Sequence, residues 1–96
     1  MPSTQDYLDY VLENLHGLAD IACKRMMGEY LLYYRGTLFG GVYDNRFLIK
    51  KTNSILGLGL KEAIPYPGAK PMLIVDSENP RELEELVLTV VGDLTK

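Results

Sequence analysis

The stretch Tyr30-Leu31-Leu32-Tyr33-Tyr34-Arg35-Gly36-Thr37-Leu38-Phe39-Gly40-Gly41-Val42-Tyr43-Asp44-Asn45-Arg46-Phe47-Leu48-Ile49-Lys50 decides the fold. Arg35-Gly36 reads as a tight turn, because Gly supplies a positive φ at no steric cost. Asp44-Asn45 reads as a second, since both residues tolerate left-handed backbone. Between and around these points Tyr, Leu, Val, Ile and Phe are dense, as half-buried strands require. The reading is an antiparallel meander with strands over 30–34, 37–43 and 46–51. A further strand over 21–27 precedes them, with the break at Gly28-Glu29.

The two turns set a register. Two-residue loops make Tyr34 oppose Thr37, Tyr33 oppose Leu38, Tyr43 oppose Arg46 and Val42 oppose Phe47. Opposed residues share a face, and faces alternate along each strand. One face then carries Leu31, Tyr33, Leu38, Gly40, Val42, Phe47 and Ile49, mostly aliphatic, and reads as core. The other carries Tyr30, Leu32, Tyr34, Thr37, Phe39, Gly41, Tyr43, Arg46, Leu48 and Lys50, aromatic with two bases. Gly40-Gly41 in mid-strand marks a bulge or a close approach, with close packing of a helix as the favoured cause.

Outward from the sheet, helices are expected at both ends. Tyr7, Leu8, Val11, Leu12, Leu15 and Leu18 recur at helical spacing. The first helix is expected to start near Ser3 or Thr4, Ser3 with Asp6 resembles a capping box, and Gly17 fits a C-cap. Residues 52–62 fit a short helix capped by Asn53 or Ser54 and weakened by Gly57 and Gly59. Pro65, Pro67 and Gly68 make an irregular loop, and Met72–Val75 a fifth strand. Asn79-Pro80-Arg81-Glu82 is a helix start with Asn as cap and Pro at the first position. Leu83, Leu86, Val87, Val90 and Val91 form its apolar stripe, which Gly92 ends. The fold class is α+β: an antiparallel meander of four to five strands, with N-terminal and C-terminal helices packed on it.

Residues 1–96 are the size of one domain. Hydrophobic residues at 47% and charged residues at 24% are ordinary globular values. One cysteine, Cys23, forms no internal disulfide, and its apolar surroundings read as a buried small hydrophobe. Asp6, Asp9 and Glu13 interrupt any signal-peptide reading of the first residues, and no apolar run reaches membrane-spanning length. A cytoplasmic location without membrane attachment follows by elimination. The net charge of −3 argues against direct nucleic-acid binding. The charge is uneven. Lys24, Arg25, Arg35, Arg46, Lys50 and Lys51 fill the middle, whereas the two ends are acidic, so a basic sheet between acidic helices is expected.

The run Arg25-Met26-Met27-Gly28-Glu29-Tyr30-Leu31-Leu32-Tyr33 resembles the Arg-x-Met-Phe-Gly-Gly-Tyr-Gly-Leu-Tyr pattern of the TfoX (Sxy) family N-terminal domain. Gly36, Phe39, the strand Arg46–Lys50, Pro65-Tyr66, Gly68-Ala69-Lys70 and Pro80–Leu86 follow in the family's order. Met27 stands where Phe is usual, and Glu29 and Leu31 stand where glycines are. The resemblance implies an α+β domain linked, in full-length members, to regulation of natural competence. It implies no catalytic residue and no cofactor.

Candidate site residues are Arg25 and Gly28 in that motif, and Tyr30, Tyr34, Phe39, Tyr43, Arg46 and Lys50 on the aromatic-basic face. Tyr and Arg favour interfaces. Two arrangements satisfy the pattern: the face meets a protein partner or a second copy, or a terminal helix covers it. His16 is alone near a helix end, and Gly57-Leu58-Gly59 lacks the context of a phosphate loop. No catalytic set or metal set is evident. The expected function is a regulatory protein-interaction module. A module for a small ligand or nucleic acid, and an enzyme using Arg25, Tyr30 and Lys50, are the alternatives.

Overall fold

In the computed structural model, which describes residues 3–96, helix α1 spans Gln5–Asn14 and is followed by strands β1 (Ile21–Met26), β2 (Glu29–Tyr34), β3 (Thr37–Tyr43) and β4 (Arg46–Ile49). A 3₁₀ segment over Asn53–Leu58, a two-residue strand β5 (Glu62–Ala63), strand β6 (Met72–Ile74) and helix α2 (Pro80–Leu94) complete the chain. The strands form one antiparallel sheet in the order β1-β2-β3-β4-β6-β5. The fold is the expected α+β meander between two helices, and β5 is an addition.

The hairpins obey the turn chemistry. Arg35 and Gly36 take φ of 49° and 83°, and Asp44 and Asn45 take 53° and 55°. Positive φ at both central residues matches the right-handed strand twist in two-residue hairpins. The break between β1 and β2 is the same kind of turn, at Met27-Gly28 (φ 53° and 84°). It falls one residue earlier than Gly28-Glu29, so Glu29 lies in β2.

The caps differ in detail. Of the two expected starts, Thr4 caps α1, its hydroxyl accepting from Tyr7 N at 3.2 Å, so the Ser3–Asp6 capping box does not form. Ser3 is free to donate to Glu29 Oε1 through its amide (3.0 Å) and its hydroxyl (2.8 Å). The helix ends at Leu15 rather than Gly17. Asn79 caps α2 as expected, accepting from Arg81 N at 3.0 Å. Glu82 instead accepts from Ser77 Oγ (2.8 Å), and the helix runs through Gly92 to Leu94. The 52–62 stretch keeps only the 3₁₀ turn, tied to α2 by Ser54 Oγ donating to Asp93 Oδ1 at 2.6 Å.

The main correction concerns the faces. The turn at Arg35-Gly36 pairs Tyr34 with Thr37 and Tyr33 with Leu38, as expected, but the register shifts between Leu32 and Tyr33. Beyond it Leu32 opposes Gly40, Leu31 opposes Gly41 and Tyr30 opposes Val42. Phe39 is the extra residue of a bulge, and one extra residue exchanges the faces of the strand beyond it. Tyr30 and Leu32 therefore join Val42, Phe47 and Ile49 in the core, with Phe39 beside them. Leu31 stays on the other face with Tyr33 and Leu38.

The glycines make the bulge possible. A Cβ on Gly40 would lie 2.3 Å from the Leu48 carbonyl oxygen, and one on Gly41 would lie 2.4 Å from the Tyr30 carbonyl oxygen. The close approach is by neighbouring strands rather than by a helix.

Both helices pack on the same face. Leu8, Val11 and Leu15 of α1, and Leu83, Val87 and Val90 of α2, form one cluster with Leu32, Phe39, Val42, Phe47 and Ile49. Burying each such aliphatic side chain contributes about 1.5–3 kcal/mol against the entropy of ordering it. Among the described residues, no helix is long and apolar enough to cross a membrane.

Candidate binding groove

With both helices on one side, the second face of the sheet is left to the loop over residues 64–71. Leu48 and Tyr43 are buried yet stand apart from the helix-side cluster, because they point to this second face. The loop is held there by packing of Tyr66 on Tyr43, with ring centroids 6.4 Å apart and planes at 47°. Burial first, then neighbouring Tyr66 and Glu29, push the Tyr43 hydroxyl above its ordinary pKa. It therefore remains a neutral phenol at physiological pH and is unsuited to act as a base.

Between loop and sheet lies a groove of about 670 Å³. Leu31, Leu38 and Tyr43 contribute from β2 and β3, Met72 from β6, Met26 and Met27 from the first turn, and Tyr66 and Pro71 from the loop. The volume falls in the range of about 300–1,000 Å³ that binding sites occupy. Met27 is 94% exposed and Tyr66 58% exposed, so the mouth is broad.

Three lysines line the groove: Lys50, Lys51 and Lys70. The register puts them at one end. Ile49 pairs with Leu73, so Lys50 follows opposite Met72, two residues from Lys70. The Lys50 amide donates to the Phe39 carbonyl at 2.9 Å, which extends the β3–β4 pairing past Ile49. Lys51 is bridged to Glu62. Neither Lys50 nor Lys70 has an acidic partner among the described residues.

Glu29 lies at the opposite end of the groove, near Met27 and Tyr43. Its carboxylate is occupied: Ser3 donates twice to Oε1, and the Asp44 amide donates to Oε2 at 3.1 Å. Asn45 N in turn donates to Ser3 Oγ at 3.0 Å, and Thr4 N to Asn45 Oδ1 at 2.9 Å. This network clamps the chain before α1 to two hairpin turns.

The eight residues singled out from sequence do not form one surface. Tyr30 and Phe39 are core, and Tyr34 packs against it. Tyr43 lies on the other face, buried under the loop. Arg46 shares that face by its pairing with Tyr43 and donates from Nε to the Tyr43 carbonyl at 3.3 Å. Lys50 lines the groove. Arg25 is exposed on β1, the edge strand, and Gly28 serves the first turn. Arg25 and Lys50 therefore do not converge on one pocket.

Cys23 also lies on β1 and is exposed rather than buried, because no helix extends over that edge. His16 Nδ1 donates to the Glu13 carbonyl at 2.7 Å, closing the end of α1. Among the described residues, no His, Cys, Asp and Glu side chains gather as a metal site.

Sequence reasoning missed Leu31, Leu38, Met26, Met27, Tyr66, Lys70 and Met72. The available signal was Pro65-Tyr66-Pro67, an aromatic between two prolines in a segment expected to be an irregular loop. Such a residue calls for an apolar surface to rest on.

No protein-family model matches the chain. Over 97 aligned residues the chain is 32% identical to an uncharacterised 12.7 kDa protein in the trpE 5′ region of Spirochaeta aurantia, an alignment covering 96% of this chain and 84% of that protein.

Proposed function

The chain belongs to the same family as the uncharacterised 12.7 kDa Spirochaeta aurantia protein, and from the geometry of its open sheet face we propose that it is a non-catalytic binding module that holds a segment of a partner protein. The observation that carries this reading is the groove between the sheet and the loop over 64–71, lined mainly by apolar side chains and bearing Lys50 and Lys70, which have no acidic partner among the described residues. Its lining is rich in methionine, and flexible thioether side chains adapt to different partner surfaces.

The TfoX (Sxy) resemblance supports a regulatory setting for such binding, with a helical second domain in full-length members of that family. Self-association through the exposed β1 edge is disfavoured: antiparallel pairing of two copies would bring Lys24 and Arg25 of each close together, and like charges across a strand pair repel.

The test is selection of binders from a random displayed peptide library, followed by mapping through amide chemical shifts. Binders should shift Leu31, Leu38 and Met72 and be lost in Leu38→Glu. Because Leu38 is half-buried, Met27→Glu at a fully exposed lip position provides a second variant that spares the fold. Binders that map to the helix side of the sheet, or that ignore both variants, would refute the reading.

A further inference from the structure

Resting on that reading, we propose that the segment taken by the groove is an extended acidic peptide, with an aliphatic run followed by carboxylates. The groove is polarised. Its cationic end is built by Lys50, opposite Met72, and by Lys70 two residues away. Its other end is closed by Tyr66 on Tyr43 and by the Met27 lip.

Charge complementarity specifies the occupant. Lys50 and Lys70 have no acidic partner among the described residues, whereas Lys51 is satisfied by Glu62. Two unpaired ammonium groups beside an apolar channel attract a carboxylate and leave the aliphatic part to Leu31, Leu38 and Met72. At the far end, Glu29 adds a negative charge whose oxygens are already taken by Ser3 and Asp44. Arg46, beside Tyr43 at that same end, offsets this charge, so the direction in which the peptide lies is set by the lysine end.

A peptide fits better than an acyl chain. An acyl chain gains most from an enclosed tunnel, and this groove is open on one side, with Met27 94% exposed. Side chains on alternate positions of an extended peptide, by contrast, point either into the groove or away into water.

The probe is a capped synthetic peptide in which a leucine-valine run precedes a run of glutamates. It is compared with the same peptide ending in lysines and with dodecanoate, each titrated against the full chain with amide shifts as readout. The acidic peptide should shift Leu38 and Met72, weaken with added salt, and lose affinity by about tenfold or more in Lys50→Glu/Lys70→Glu. Both substitutions are at lysines with no acidic partner among the described residues, and an unchanged urea midpoint shows that the fold is intact. The double variant should prefer the lysine-ended peptide.

Equal binding of both peptides, insensitivity to the double substitution, or dodecanoate shifting the groove where the acidic peptide does not would overturn the proposal. If library-selected binders map to the groove but are neutral or basic, this inference fails while the binding-module reading stands.

Discussion

At the residue scale, the shape of the sheet depends on one position that cannot carry a side chain. A Cβ at Gly40 would meet the Leu48 carbonyl at 2.3 Å and the Ile49 Cα at 3.0 Å, both backbone atoms with no flexible end to move aside. Gly40→Ala should therefore destabilise the domain by about 2–3 kcal/mol in urea denaturation. Gly57→Ala is the control. It sits in the 3₁₀ segment with nothing within 4 Å of its Cβ position, so the same change should stabilise by about 0.4–1 kcal/mol through the unfolded chain. Equal effects at the two sites would remove the case for a backbone-packed bulge. That Gly40-Gly41 is unusual in a strand was legible in the sequence; which neighbour demanded it was not, because the demand comes from β2 and β4.

At the element scale, β2 gives the sharpest contrast, since it holds two adjacent leucines with opposite fates. Leu32 is fully buried against the helices, and Leu31 faces the groove, half-exposed. Leu32→Ala should cost about 2–5 kcal/mol, the usual range for emptying a core position, and Leu31→Ala much less. A regular two-turn register without the bulge would give the opposite order, so equilibrium unfolding of the two variants decides between them. The tie between the 3₁₀ segment and α2 is electrostatic. Hydrogen bonds from Ser54 hold the Asp93 carboxyl below its ordinary pKa. A carboxyl depressed in the folded state stabilises above its unfolded pKa, and that contribution is lost as pH falls through the folded value. The stability difference between wild type and Asp93→Ala should therefore shrink as the pH is lowered from roughly 5 towards 2. A difference that stays constant over that range would show that the tie is not ionic.

At the scale of the whole molecule, both helices crowd one side of the sheet, and the outer strand is left uncovered. Five of the six residues of β1 are exposed, Cys23 among them. Its thiol should react with a thiol reagent in native buffer about as fast as in urea, and a large acceleration on unfolding would contradict that exposure. The same asymmetry creates the groove, because a face without a helix is closed only by the Pro65-Tyr66-Pro67 loop. The amino-acid sequence by itself determined the two helices, strands β1–β4 and β6, the turn positions at 35–36 and 44–45, the Asn79 cap and the α+β class, since each is written in residues close together along the chain. Only the tertiary structure decided which side of the sheet is core. That choice hangs on a one-residue shift at Phe39, permitted by glycines where the Tyr30 and Leu48 carbonyls leave no room for a Cβ and favoured by the core that buries Phe39. Local chemistry fixes where a chain turns, but a bulge is favoured only when its neighbours in space are in place.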